Sequence, residues 1–266
     1  MHVTESEMLA PDAPVGVLPR AAFLLRLLAG HGDGLRLQEI TEVAPLAPPT
    51  VHRLLADLVQ LGAVERRPGH RYAIGPALSE CTSARSIPAP LREVDETRAI
   101  LQRLADRVGD TVYLAARAFG GAQYLMRCDG DSPIRVFTVE VGEVKPFATS
   151  YAGIALLAGL PKDVRADGVA KALAEIPPRW GPRDPDTLTR TLHTLIDQVR
   201  DQGWCGGISV IPEVAGIACP IPTSSGAPLF ALTISAATGR LPMERIAALV
   251  PEMLTAAHQV GAIDGA

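Results

Sequence analysis

PTVHRLLADLVQLGAVERRPGHRYAIG, residues 49–75, is the stretch on which the reading of the fold turns. Val51, Leu54, Leu55, Leu58 and Val59 recur at three- and four-residue spacing, which collects their side chains on one face of a helix. The spacing predicts a helix over 48–61. Proline is tolerated at its start, where the missing N–H would have had no partner anyway, and Gly62 ends it. The opposite side carries Pro49, Arg53, Ala56, Asp57 and Gln60, with Thr50 and His52 on its flanks, a face left free to meet a partner. AVERR and RYAIG then flank Pro68-Gly69-His70, the pattern of two short strands joined by a tight turn.

Working upstream, VLPRAAFLLRLLAG (17–30) is too densely apolar for a strand of ordinary length and reads as a buried helix stopped by Gly30 and Gly32. LQEITEVA (37–44) sets Leu37, Ile40 and Ala44 on one face of a short second helix that Pro45 closes. Three helices and a hairpin make a winged helix-turn-helix. The basic residues agree: of the seven before position 76, Arg20, Arg26, Arg36, Arg53, Arg66, Arg67 and Arg71, four lie on the third helix or the hairpin. Major-groove reading needs a helix approaching base edges with cations nearby for phosphates, so Thr50, His52, Arg53, Arg66, Arg67, His70 and Arg71 are the candidate DNA contacts. That patch must supply the attraction, because the whole chain carries a formal charge of −4. Aromatic residues are only 4%, which argues against a single-strand binder built on stacking platforms and leaves duplex DNA open as a partner.

The string PTVHRLLADLVQLGAVER followed by RYAIGPAL resembles the helix-turn-helix and wing of the isocitrate lyase regulator (IclR) family of bacterial transcription factors. Three residues depart from the family pattern. Pro45 stands where a turn glycine is common, and Pro48 and Pro49 replace a Lys-Ser pair, removing a serine cap and a phosphate-binding lysine. The family's operator sequence therefore does not carry over.

Length and composition extend the reading. At 266 residues two domains are the natural division, and 47% hydrophobic with 20% charged residues is globular usage. The divisions expected are a disordered extension over 1–15, a DNA-binding domain over 16–86, and a second domain over 87–266, with the boundary in the proline-bearing segment 86–90. A helix over 91–108 carries Val94, Leu101, Leu104 and Val108 on one side; in the family its counterpart links the domains and helps pair protomers, while the same stripe also suits packing within its own domain. TVYLAARAF and AQYLMRC around Gly120-Gly121 form a hairpin, and IRVFTVEV (134–141) reads as a third strand. A short buried helix over 150–159, an amphipathic helix over 187–202, strands near 214–221 and 229–236, and a terminal helix from Pro242 complete an α+β domain with an antiparallel sheet.

This half also resembles the family, whose C-terminal domain is GAF-like and binds an effector. KPFATSYAGIALLA, GIACPI and ALTIS match the segments around its pocket. The resemblance implies Phe137, Lys145, Tyr151, Ala152, Thr233 and Ser235 as pocket residues, with Ser209 or Gly206, and Gly216 or Cys219, at two further positions. Thr233 and Ser235, two apart on one strand, share a face and could both meet one ligand, or serve as ordinary strand formers with satisfied hydroxyls. Lys145 in an apolar wall either extends its ammonium to solvent or pairs with an anion, an organic-acid effector among the candidates. Tyr151, where the family has glycine, shrinks or reshapes the cavity.

Other classes have less support. ATSYA (148–152) lacks both glycines of a nucleophile elbow and an evident histidine partner, and there is no dinucleotide fingerprint or phosphate loop, so catalysis such as small-molecule hydrolysis is not expected. Cys81, Cys128, Cys205 and Cys219 are widely spaced and the histidines form no ligand pair; no metal or cofactor is expected, and the thiols read as buried or spare. The longest apolar run, 151–160, is about half a membrane span, and Glu5 and Glu7 sit where a secretory signal would be basic, pointing to a cytoplasmic protein. The expected assembly is a homodimer or a dimer of dimers. A DNA-binding module whose second half only oligomerises accounts for the same N-terminus.

Overall fold

The computed structural model describes residues 14–80, 89–118, 121–134, 136, 139–174, 184–208, 211–223 and 227–263. The chain divides into two compact units, Met1–Ile87 and Pro88–Ala266. Residues 1–13 and 81–88, on which the expected extension and most of the expected linker fall, lie outside the described residues.

The first unit contains α1 (Val17–Ala29), β1 (Leu35–Arg36), α2 (Leu37–Val43), α3 (Pro48–Gln60), β2 (Val64–Arg67), β3 (Arg71–Ile74) and α4 (Pro76–Glu80). Val51, Leu54, Leu55 and Leu58 of α3 are buried with Phe23, Leu24 and Leu28 of α1 and Ile40 of α2, one core built from the stripes visible in the sequence. Each such side chain contributes roughly 1.5–3 kcal/mol on burial. The two strands of the wing pair antiparallel, Arg67 opposite Arg71. β1, which the sequence pattern does not announce, adds a third strand, Leu35 opposite Tyr72. Gly34 permits it: its φ is +77°, and a Cβ there would stand 2.6 Å from the Tyr72 carbonyl oxygen.

The second unit runs α5 (Ala89–Arg92), α6 (Val94–Val108), β4 (Thr111–Ala118), β5 (Gly121–Asp129), β6 (Val144–Pro146), a 3₁₀ turn (Phe147–Thr149), α7 (Tyr151–Ala158), α8 (Lys162–Ala174), α9 (Pro185–Gln202), β7 (Cys205–Gly206), β8 (Val214–Pro220), β9 (Phe230–Ala237) and α10 (Met243–Ala262). The sheet is antiparallel throughout, in the order β6-β5-β4-β9-β8-β7. One face packs on α7 and α9, with α8 laid against those helices and the 3₁₀ turn, through residues such as Tyr113, Ala115, Ala218 and Ala231; the other packs on α6 and α10 through Val112, Leu114, Ile217, Leu232 and Ile234. The sheet is thus covered on both sides, a three-layer α+β unit.

Several expectations are corrected. The third strand is β6, not 134–141: Ile134, Val136 and the described residues from Val139 onward there are not in a strand, and β5 pairs instead with Val144–Pro146. The segment is apolar because Val139 joins the core from a loop, not because it belongs to the ladder. The stripe on α6 buries Leu101, Leu104 and Val108 inside this unit, whereas Val94 is exposed. Pro251 lies inside α10, and α8 and β7 have no counterpart in the sequence reading.

A buried acidic residue secures α10. Asp110, just after α6, accepts from Arg240 Nε at 2.7 Å and from Arg245 Nη2 at 2.7 Å, and Arg245 also donates to the Val108 and Arg240 carbonyls. This hydrogen-bonded pairing raises the Arg240 pKa above its ordinary value.

Candidate functional site

In the first unit the outward side of α3 exposes Pro49, His52, Arg53, Ala56, Asp57 and Gln60, and Thr50 is half-buried. The helix starts at Pro48 without a side-chain cap; its first turn is closed by the Ala47 carbonyl, which accepts from Thr50 and Val51 N–H groups at 2.8 and 3.1 Å. His52 and Arg53 have no ionic or hydrogen-bonding side-chain partner among the described residues. The wing arginines differ from one another. Arg67 donates to the Gly32 carbonyl and to Glu65, both at 2.7 Å, and Arg71 donates to the Gly34 carbonyl at 2.6 Å and lies 3.5 Å from Glu39. Those two pin the hairpin to the loop after α1. Arg66 instead stacks 5.4 Å from the Tyr72 ring centroid, its charge outward, and His70 is exposed at the hairpin tip with a left-handed φ of 57°.

In the second unit strand register decides which candidates share a face, because directly opposed residues of antiparallel strands point the same way. Thr233 lies in one row with Tyr113 and Arg127 on one side and Ala218 and Cys205 on the other. Ser235 lies in the next row with Thr111, Asp129 and Gly216. Both rows face α7. Tyr151, the first residue of α7, lays its ring over Gly216: a Cβ there would come within 2.5 Å of ring carbon Cδ2. Its hydroxyl donates to the Ile208 carbonyl at 3.0 Å. Ala152 is fully buried behind it. Ser150, also buried, caps α7 by accepting the Gly153 N–H at 3.1 Å, so the hydroxyl of the ATSYA segment is a structural cap.

Cys219 is a correction. It opposes Leu232 and lies in the core under α6 and α10, on the other face from Thr233, because strand side chains alternate with period two. Gly216 is the residue of β8 that meets Tyr151. Lys145 is a second correction. It opposes Ala122, in the row of Arg117, so it stands three strands and two same-face rows from Thr233, about 14 Å in each direction on a flat sheet. The ammonium is ion-paired with Glu143, so the anion that a partly buried lysine needs is supplied by the chain. Phe137 and Ser209 lie outside the described residues.

The site also contains residues the sequence reading passed over. Arg127 grips Asp129 with two hydrogen bonds, 3.0 and 2.8 Å, and Asp129 accepts a third from Thr111 at 3.0 Å. The Tyr113 and Tyr124 rings meet edge to face at 5.3 Å, and burial raises both phenol pKa values, so the rings stay neutral. Within this setting the Thr233 hydroxyl is buried with no hydrogen-bond partner. Alternation in TVYLAARA places Thr111 and Tyr113 on one face, but their pairing with residues 233 and 235 spans over a hundred positions of chain and leaves no local trace.

A winged helix with an exposed, unengaged recognition face, joined in one chain to an α+β unit bearing a buried polar row, defines a DNA-binding regulator with an effector domain. Comparison with known proteins agrees. The model of the bacterial transcriptional regulator IclR C-terminal domain matches residues 91–262, and that of the IclR helix-turn-helix domain matches residues 17–68. The chain belongs to the IclR family of bacterial transcriptional regulators. It is 25% identical to the probable transcriptional regulator SauR of Cupriavidus necator, over 91% of this chain and 94% of that one. A crystal structure of a putative IclR regulator from Silicibacter superposes with TM-score 0.69 at 25% identity, covering 94% and 97% of the two chains. An IclR homolog from Microbacterium hydrocarbonoxydans, crystallised in complex with 4-hydroxybenzoate, shares the fold with TM-score 0.64 at 24% identity, covering 94% and 99%. Among the described residues no helix is long and apolar enough to cross a membrane.

Proposed function

We propose that this chain acts in the cytoplasm as a homodimer, or a dimer of dimers, that binds a palindromic or repeated operator through paired winged helices. A small molecule bound against the α7 face of the second unit sets its operator affinity. The observation that carries the DNA half is the unengaged Arg53 and His52 on the outer face of α3, beside Arg66 and His70 of the wing. A guanidinium held at a protein surface without an internal partner is available to a base edge or phosphate, whereas Arg67 and Arg71 would first have to leave their carbonyl and carboxylate partners. The effector half is supported by the row at Thr233, and by the small molecule that the Microbacterium homologue holds. An effector bound there alters operator affinity only through its unequal affinity for the DNA-competent and incompetent arrangements.

The test starts from operator selected out of a random duplex pool. Arg53→Ala is expected to weaken that duplex by about 1–3 kcal/mol and to relax sequence preference at one position. Binding equal to the parent's at every salt concentration would remove α3 from the interface. A second reading, in which the second unit only oligomerises, predicts that no small molecule changes operator affinity and that Thr233→Val is silent.

A further inference from the structure

Resting on the reading of the α7 face as the effector site, we propose that this site takes an uncharged ligand, an amide, alcohol or ketone, anchored by one hydrogen bond to the Thr233 hydroxyl.

The charges around Thr233 are the argument. Arg127 is the cation in its row, two strands away and about 10 Å across the sheet. Its guanidinium is held by both oxygens of Asp129, which in turn accepts from Thr111 in the row of Ser235. The guanidinium and the carboxylate offset each other's charge, and the carboxylate belongs to the neighbouring row of the same face. A carboxylate ligand entering there would have to break that bidentate pair or lie beside Asp129. Among the described residues the other basic ones on this face, Lys145 and Arg117, share a row two same-face rows further along the strands, and Lys145 is already paired with Glu143. Helix α7, which covers β8 and β9, is YAGIALLA and brings no charge. Tyr113 and Tyr124 are kept neutral by burial.

An anion beside Thr233 loses its hydration and, among the described residues, meets in that row no cation that is not already paired, a cost that a neutral polar group does not incur. The group that does lack a partner is a hydroxyl, Thr233 Oγ1, in a side chain 2% exposed. A hydroxyl both donates and accepts, so it suits a carbonyl or an alcohol equally. The Tyr151 ring, seated on Gly216 and tied to Ile208, bounds the ligand's size.

Matched probes test this on the full-length protein: benzoate against benzamide, 4-hydroxybenzoate against 4-hydroxybenzamide, and propionate against propionamide and propan-1-ol. Affinity is read by calorimetry, and operator release by gel shift. The neutral member of a pair is expected to bind at least about tenfold tighter, and Thr233→Val, which keeps the volume, to lose up to about tenfold of that affinity. Asp129→Asn, which removes the negative charge paired with Arg127, is expected to raise carboxylate affinity by about tenfold. Should Asp129→Asn fail to fold, the acid-against-neutral preference in wild type and in Thr233→Val decides the matter. A carboxylate preferred by the wild type with Thr233-dependent affinity would overturn the uncharged class while leaving the face as the effector site. Operator release by a compound whose affinity ignores both Thr233→Val and Gly216→Ala would overturn the underlying reading of the face.

Discussion

Single atoms decide much of this molecule. The contact between Gly216 and the Tyr151 ring leaves no room for a methyl group, so Gly216→Ala must displace the ring or the strand. We expect a loss of about 1–3 kcal/mol in stability together with altered effector affinity, measured by denaturant titration and calorimetry. No change in either would mean that the ring has another seat. The cysteines give a second test at this scale. Burial pushes the Cys219 thiol up to about 12 and raises Cys205 further. An acid whose folded pKa is raised ionises more readily in the unfolded chain, so its contribution is intact below the ordinary thiol value of about 8.5 and is lost as pH climbs from there toward 12. At pH 8, with Cys81 replaced by serine, Cys128, Cys205 and Cys219 should be inert to a thiol reagent until denaturant is added; labelling of the native protein would contradict their burial. The sequence could show that Thr233 and Ser235 share a face, because that follows from period two. It could not show that Cys219 looks away from them, since the register of one strand against another is fixed by distant residues.

Among the elements, α3 was the most legible and the edges of the second sheet the least. A 13-residue helix with its apolar residues in a stripe advertises both its type and its buried face. Leu55 is fully buried at the centre of that stripe, and Leu55→Ala should cost about 2–5 kcal/mol and abolish operator binding by unfolding the first unit. Two- and three-residue strands such as β1, β7 and β6 have no period to read; they exist because a longer neighbour offers them a ladder. α8 has no legible stripe because its larger apolar positions, Val164, Val169 and Leu173, are sparse, and of these only Val169 is buried. The wing divides its arginines between two tasks. Arg71→Ala, which removes the bond to Gly34 O, should lower stability by about 0.5–1.5 kcal/mol, with the Glu39 contact adding little at such exposure. Arg66→Ala should leave the melting temperature nearly unchanged and lower the salt slope of DNA binding by about one. The reverse pattern would exchange their roles.

For the molecule as a whole, three apolar cores matter. One belongs entirely to residues 23–72, the other two to residues 100–260, and none of the three includes residues from both sides of the division at Ile87 and Pro88. The cohesion of each unit is therefore supplied by its own residues: α1, α2 and α3 on their hairpin in the first, and two helical layers on one sheet in the second. A chain built this way needs no contact across the division for either part to fold. Residues 88–266 expressed alone should unfold in one cooperative transition and retain whatever small-molecule binding the full protein has. Residues 14–87 should bind the selected operator more weakly than the full chain, because the second unit is expected to hold two copies together and so raise the effective concentration of the second winged helix. Calorimetry of the intact protein should resolve two transitions, and limited proteolysis should cut first between the two sets of core residues. A single transition in the intact protein, with a fragment 88–266 that is unfolded or aggregated, would show that the two units stabilise each other, and regulation would then have to be sought in that mutual support.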